Sequence, residues 1–427
     1  MSPNGKILKN TEDVEKIPKF SNRFIRVNAG IIGPCEPKPK TVVYRNVGAY
    51  PSTPRAYLDV AKHYSSPLVI GPPVCDELVA LVQHMFTEDE ARLVRHLKPY
   101  PFGRTAEKVA KKENRPESEV RAVLNQLAVE KRLIVAHGPE DKKLYDILPI
   151  LPGTFEMALM RPATDTLTDW HKQFAVLFEA LWETGFLTDF LKFPSPAVRY
   201  LPVMRTLSAL PVAWPSDRLE AVLDRYDIFA VGLCQCRLTE KMVDRECGRP
   251  MENCSVFGNA ARVVINAGMM RQVEKQELLD IKAKAEASGL VSWMFNEDSG
   301  KGPACSCSCC GCCCHMMRTV SEFNMPGMIA PAHFIPEFDV AACDHCGKCA
   351  RACPMGAITV DVKGKTLVHQ VQRCVGCGLC ALACDRKKAV KMAEVPDYKK
   401  PPAGWASLLV GLAPNLVRNA WNAWRAR

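Results

Sequence analysis

Between residues 86 and 150 the apolar positions recur first with the period of helices and then with that of strands. Thr87 and Glu90 have the spacing of a capping box, and Leu93, Val94 and Leu97 fall on one helical face. A second short helix is predicted over Thr105–Lys112, with Ala106, Val109 and Ala110 inside. Pro116 suits the first turn of a third helix carrying Val120, Val123, Leu124 and Leu127. Leu133-Ile134-Val135 and Leu144-Tyr145-Asp146-Ile147 then flank the turn residues Gly138, Pro139 and Asp141, which predicts a hairpin.

Elsewhere the pattern is less even. Residues 1–85 are rich in Pro and Gly with little periodicity, and are expected to be irregular. Residues 151–300 read as mostly helical. Leu167, Trp170, Phe174, Leu177, Phe178 and Leu181 form a wide apolar stripe, and Glu274–Ser288 is a second helix ended by Gly289. Ile228–Leu233 is a short apolar run. After the Pro-rich break at 396–402, Trp405, Leu408, Leu409, Leu412, Leu416, Ala420, Trp421 and Trp424 recur at three- and four-residue spacing. Pro414 is expected to kink that tail helix, and Arg418, Arg425 and Arg427 suit its C-terminal end. An amphipathic tail of this kind is expected to dock externally, on a redox partner or a membrane interface.

The 427 residues allow two to four domains. A formal charge of +10 counts every cysteine as neutral, so a metal-loaded chain is less basic than it looks. The 21 cysteines could suggest secretion and disulfides. Met1–Asn10 has no apolar signal core, however, and no stretch approaches the length of a membrane span. A cytoplasmic setting with thiols used for metal is therefore expected, with membrane association only through the tail. Cys35 and Cys75 stand alone and read as ordinary thiols.

Two cysteine systems carry the candidate chemistry. Cys343, Cys346, Cys349 and Cys353 are spaced C-x₂-C-x₂-C-x₃-C with Pro354 after them. Cys374, Cys377, Cys380 and Cys384 repeat that spacing 31 residues later, with Asp385 in place of proline. This is iron–sulfur spacing rather than the paired C-x₂-C units of zinc sites. The second system opens with Cys234-Gln235-Cys236-Arg237, continues at Cys247 and Cys254, and ends in Cys305-Ser306-Cys307-Ser308-Cys309-Cys310-Gly311-Cys312-Cys313-Cys314. Seven free thiols in ten residues would be an oxidation hazard, so metal binding is expected there too. Adjacent thiols suit crowded or bridged metal sites. A third iron–sulfur cluster held among Cys234, Cys236, Cys247, Cys254, Cys309, Cys310, Cys312 and Cys313 is the favoured reading, with a zinc or copper thiolate as the alternative. Arg237 is a candidate to hydrogen-bond or charge-balance that cofactor, and His315 to stand beside the thiols. The basic balance gives little support to a nucleic-acid partner.

Residues 340–392 resemble a bacterial-type 2[4Fe–4S] ferredoxin domain, in which Ile358-Thr359-Val360 and Leu367-Val368-His369 match the connecting hairpin around Lys363-Gly364. The resemblance implies that Cys343, Cys346, Cys349 and Cys384 hold one cube and that Cys374, Cys377, Cys380 and Cys353 hold the other. Residues 200–395 also resemble a group of 4Fe–4S-binding proteins of anaerobic bacteria that pair C-x-C-R with a C-C-x-C-C-C segment, which implies clusters and an anaerobic setting but no substrate. Residues 86–150 resemble a winged helix-turn-helix, although Glu117 and Glu119 at the start of its third helix have the wrong sign for DNA contact.

The expected fold is α+β and multidomain: an irregular segment 1–85, a winged-helix-like module 86–150, a helical cysteine-bearing domain 151–334, a 2[4Fe–4S] ferredoxin domain 335–395, and a linker with a tail helix 396–427. The expected function is electron transfer between redox protein partners through two [4Fe–4S] clusters and one further cluster. The competing classes are an oxidoreductase with its active site at the unusual thiols and a redox-sensing regulator. No G-x-G-x-x-G follows a predicted strand, so no nucleotide or flavin site is expected.

Overall fold

Alternation along Ala304–Cys309 organises the middle of the chain. In this Ala-Cys-Ser-Cys-Ser-Cys strand, Ala304, Ser306 and Ser308 are buried on one face, and Cys305 and Cys307 are half-buried on the other. The computed structural model describes residues 22–66, 70–207, 210, 213–298 and 304–427, so the opening stretch Met1–Asn10 lies outside the described residues. Contacts gather the chain into two units. One takes in the chain up to Lys38, Arg161–Ala163 and Leu191–Leu416; the other takes in Pro39–Met160, Thr164–Phe190 and Val417–Arg427.

The cysteine-bearing unit is built on a six-stranded antiparallel sheet. Its strands run Val198–Tyr200, Val291–Phe295, Ala304–Cys309, Glu252–Phe257, Phe229–Leu233 and Arg271–Val273 across the sheet. The expectation of a mostly helical 151–300 left out this sheet, most of whose strands lie among the helices of that stretch. These strands are three to six residues long, and Val198–Tyr200 and Phe229–Leu233 are wholly buried, so such apolar runs carry no alternation to separate them from helix. Helix Lys275–Ala287 forms where predicted, and Gly289, at φ +72°, takes the left-handed position just past its end.

The N-terminal segment is not irregular either. Strands Ile25–Asn28 and Ile31–Pro34 make a hairpin, and Ile32 lies opposite Val360. Together with the hairpin Ile358–Asp361 and Thr366–His369 they form a four-stranded sheet. Strands Phe334–Phe338 and Val390–Glu394 pair on either side of the cysteine runs in sequence. The apolar core here is partly made of thiols: Tyr200, Val203, Cys309, Cys314, Cys349, Cys353, Cys377 and Cys380 belong to one buried cluster with Val360 and Leu379. The start of the tail helix Trp405–Arg425, which contains Pro414, packs in this unit. Leu408 and Leu412 are buried, the Trp405 ring meets Phe295 edge-on at 4.9 Å, and Asn415 donates to the Pro194 carbonyl.

In the other unit the capping box at Thr87 and Glu90 forms, and helix Glu88–Val94 buries Leu93 and Val94. Helices Ala106–Glu113 and Glu117–Val129 follow. Strands Val135–His137 and Leu144–Ile147 form the predicted hairpin, and a short strand Lys98–Pro99, not foreseen, pairs parallel to the second of them. Helices Arg55–Tyr64 and Asp76–Met85 occupy the region expected to be irregular. Helix Asp169–Glu183 buries Phe174, Phe178 and Leu181 of the predicted stripe. The end of the tail packs here. Asn419 and Ala423 are buried and Arg427 donates to the Gly71 carbonyl, while Trp421 and Trp424 stack at 4.9 Å and remain exposed. The tail therefore has a covered side and an open side.

Among the described residues no helix is long and apolar enough to cross a membrane.

Candidate metal centres

The two C-terminal cysteine runs fold around two separate cavities. One is lined by Cys343, Cys346, Cys349 and Cys384. The other is lined by Cys353, Cys374, Cys377 and Cys380. In each run a short helix, Lys348–Ala352 or Leu379–Ala383, starts at a glycine in the left-handed region, Gly347 or Gly378, and turns the last two cysteines inward. The fourth cysteine of each run crosses to the other cavity, the same grouping that the ferredoxin resemblance implies.

The cavities differ in exposure. Cys353, Cys377 and Cys380 are buried, whereas Cys346 is exposed. Burial pushes the Cys349 and Cys374 thiols up to about 12, so they keep their protons at neutral pH unless a metal displaces them. Backbone N–H groups already aim at sulfur: His345 donates to Cys343 Sγ at 3.4 Å and Ala357 to Cys353 Sγ at 3.3 Å. Four sulfurs around an open volume, with N–H groups toward them, fit a cluster at each cavity.

The middle cysteines do not form one site. Cys247, Cys310, Cys312 and Cys313 converge, all buried, with every Sγ within 4.8 Å of the others. Cys234, Cys236, Cys309 and Cys314 form a second chain of contacts: Cys236 touches Cys234 and Cys314, and Cys314 touches Cys309. Cys254 and Cys307 sit beside them as a cross-strand pair, one step along from Ser255 opposite Ser306, with sulfurs 3.6 Å apart. Of the residues singled out in the sequence, Cys247, Cys310, Cys312 and Cys313 therefore go to one group, and Cys234, Cys236, Cys254 and Cys309 to the other. Cys307 and Cys314 were not singled out, although the C-x-C-x-C alternation and the final C-C-C could have pointed to them.

Local structure explains the sorting. Strand Phe229–Leu233 ends at Cys234, which precedes helix Gln235–Met242, and Cys314 likewise precedes helix His315–Ser321. A buried ion network ties those two helices. Arg318 donates to Glu240 at 2.8 Å and to Glu322 at 2.6 Å, and Arg23 grips Glu240 with both terminal nitrogens. Burial alone would raise the Glu322 carboxyl, but Arg318 and Lys38 hold it below the usual carboxylate range.

Arg237 is buried between the groups. It donates to the Ser308 carbonyl at 2.9 Å and to Asn253, and its Nε has no hydrogen-bond partner among the described residues. Burial works against its charge, but Cys234 and Cys309 of one group and Cys310 and Cys247 of the other outweigh that. Two further cations stand near the thiols, Lys282 buried and Arg249 half-buried. Lys282 donates to the Ser306 carbonyl at 2.8 Å, and Arg249 approaches Cys312 Sγ at 3.6 Å. The Tyr200 hydroxyl is fully buried, faces Cys314, Cys309, Cys307 and Cys236, and has no partner among the described residues. His315 Nδ1 lies 3.2 Å from Cys236 Sγ.

Within the tight group, the thiols of Cys310, Cys312 and Cys313 crowd that of Cys247. The contact with Cys310 opposes ionisation of Cys247, but those with Cys312 and Cys313 outweigh it and draw its thiol below the usual range. The Cys312 and Cys313 thiols, next to charge already formed at Cys247 and Cys310, are driven far up. Two of the four thiols are thus drawn down and two driven up, and thiols crowded in this way shed their remaining protons in exchange for a cation.

Residues 342–388 match the 4Fe-4S dicluster domain family. No curated protein matches the chain, and no solved structure does. The chain thus carries a 4Fe–4S dicluster domain and, apart from it, a cysteine-rich group able to hold metal.

Proposed function

We propose that this chain is an iron–sulfur electron-transfer protein with two ferredoxin-type clusters and a further cluster on the thiols of the middle region. The observation that carries the reading is the shared apolar cluster: ligand cysteines of both C-terminal cavities and Cys309 and Cys314 of the middle group lie in one buried body. Cys343, Cys346, Cys349 and Cys384 would hold one cube, and Cys353, Cys374, Cys377 and Cys380 the other. Cys234, Cys236, Cys309 and Cys314 are the proposed ligands of the third. Bound there, each centre would supply a one-electron couple.

The chain's own part is to bind, shield and bias. Cys346 gives one cavity an edge open to solvent, and so to a redox protein partner. The unpartnered Tyr200 hydroxyl and Arg237 Nε are buried donors that suit an acceptor such as cluster sulfur. Burial of the middle thiols favours a relay over a substrate-reducing site. The acids opening the helix Glu117–Val129 pair with arginines, Glu117 with Arg121 and Glu119 with Arg115, which speaks against DNA contact at that helix start. The exposed Trp421–Trp424 pair is the proposed partner- or membrane-facing contact.

Iron and acid-labile sulfide on anaerobically purified full-length protein test the reading. About twelve of each per chain are expected for three cubes, with one-electron steps in a redox titration followed by electron paramagnetic resonance. A chain that binds about eight, or shows no reversible one-electron step, overturns the third cluster or the function respectively.

A further inference from the structure

The cysteines around the C-terminal cavities and those of the tight middle group are spaced on different scales. Among the described residues, Cys247, Cys310, Cys312 and Cys313 are the only set of three or more metal-binding side chains whose ligand atoms lie within 4.8 Å of one another. Cys247 and Cys310 sulfurs are 3.9 Å apart, and those of Cys312 and Cys313 are 3.6 Å apart. A zinc ion with four sulfurs at about 2.3 Å in a tetrahedron spaces those sulfurs about 3.8 Å apart. A cube instead puts each thiolate on a different iron, with the body of the cluster between them, and the C-terminal cysteines line two pockets without converging so closely.

We propose that Cys247, Cys310, Cys312 and Cys313 hold a single tetrahedral zinc ion without sulfide, a closed site distinct from the iron–sulfur ligands. Its surroundings match that role. All four cysteines are buried against Ala285 and Leu290, so no fifth position faces water. Four thiolates and one dication leave a net charge of two negatives. Arg249, anchored by donating to the Ser288 carbonyl at 2.9 Å, sets one guanidinium beside Cys312. Arg237, held by Ser308 and Asn253, supplies a second positive charge on the side of Cys310 and Cys247. A four-sulfur site with no open position is structural.

The site also has a task in the fold. Cys309 and Cys314, which flank its three loop ligands, belong to the other thiol group. An ion that ties Cys310, Cys312 and Cys313 to Cys247 turns these three away from their neighbours and presents Cys309 and Cys314 at a fixed spacing. Gly311, enclosed by the ligands, is thereby held against Pro354. The zinc acts as a clip on the loop rather than as a carrier of electrons, and the proposal stands whether or not the third cluster does.

The test uses the full-length protein, purified anaerobically from cells supplied with zinc and iron. We expect about one zinc per chain, and X-ray absorption at the zinc edge should show four sulfur neighbours at about 2.3 Å. Cys313→Ser should lower the zinc content severalfold while the two ferredoxin-type clusters keep their iron and sulfide. Zinc absent from the wild type, or bound by nitrogen and oxygen, overturns the proposal, and so does a folded variant that keeps its zinc. Should Cys313→Ser fail to fold, the absorption spectrum of the wild type decides alone. Zinc, iron and sulfide are counted in the same sample. A protein with zinc but no clusters rejects electron transfer alone, and one with clusters but no zinc rejects the clip alone.

Discussion

Gly311 and Pro354 bring the backbones of the two cysteine systems together. A β-carbon on Gly311 would sit 1.6 Å from the Pro354 carbonyl oxygen, and the nearby Asn22 side chain donates to that same oxygen at 3.1 Å. Gly311 lies within the seven-thiol loop, and Pro354 follows the cysteine that crosses between the C-terminal cavities. The glycine is required by space, because backbone cannot yield as a flexible side chain can.

Gly311→Ala should therefore cost stability without touching any ligand. Overpacking against fixed backbone costs about 1–3 kcal/mol or more. The expected outcome is a melting temperature lower by several degrees in anaerobic thermal scans, with faster loss of iron on heating. An unchanged melting temperature would show that the two loops are not in contact in solution.

Tyr200→Phe tests whether the thiols facing it carry a cluster. The hydroxyl is buried and without a partner among the described residues, so removing it should not destabilise the fold. A hydrogen bond worth about 1 kcal/mol to one oxidation state corresponds to about 40 mV for a single electron. The variant should keep its full metal content, while one reduction potential shifts by tens of millivolts and the two ferredoxin-type potentials stay fixed. If no potential moves, the hydroxyl does not meet a cluster.

Glu286 sets a pH dependence that can be isolated. Its side chain is buried, accepts from the Met204 N–H at 2.9 Å, and faces Lys282 and Arg205. Burial pushes its carboxyl from an ordinary 4.5 up to about 8. The folded state thus holds a proton that the unfolded state has released, and stability from this group falls as pH rises from about 4.5 to about 8. Glu286→Gln keeps an acceptor and removes the titration. The stability of the variant relative to wild type should grow across that window and level off above it, as read from denaturant midpoints. A difference that is flat with pH would mean the carboxyl is solvated.

What could be read from the sequence follows from how local each signal is. The two C-x₂-C-x₂-C-x₃-C runs are fixed by spacing within eleven residues, and the Thr87–Glu90 cap within four. The sorting of the middle thiols was hidden, because it depends on which strand lies beside which. Cys254 meets Cys307 only through the pairing of Glu252–Phe257 with Ala304–Cys309. The pairing of Ile32 with Val360 joins residues more than three hundred positions apart, for which no local pattern exists. Buried Lys282 and half-buried Arg249 give no local signal for the same reason: charged residues on a helix or loop look solvated until the packing around them is known.

The tail yields the last prediction. Its exposed face and its tryptophans suggest docking, but Leu408, Leu412, Asn419 and Ala423 are buried, and Asn415, Asn422 and Arg427 each donate to a backbone carbonyl. Burial of a leucine side chain contributes about 1.5–3 kcal/mol, so the two leucines alone are worth on the order of 3–6 kcal/mol. Deleting residues 403–427 should lower the melting temperature by several degrees. Trp421→Ala with Trp424→Ala removes only side chains that are more than half exposed, and should leave the melting temperature within about a degree of wild type. If that pair contacts a partner or a lipid surface, the double variant loses association with anionic liposomes or with the redox partner while remaining folded. A truncation that melts like wild type would return the tail to the status of a free appendage. A double variant that melts several degrees lower would show that the tryptophans are structural.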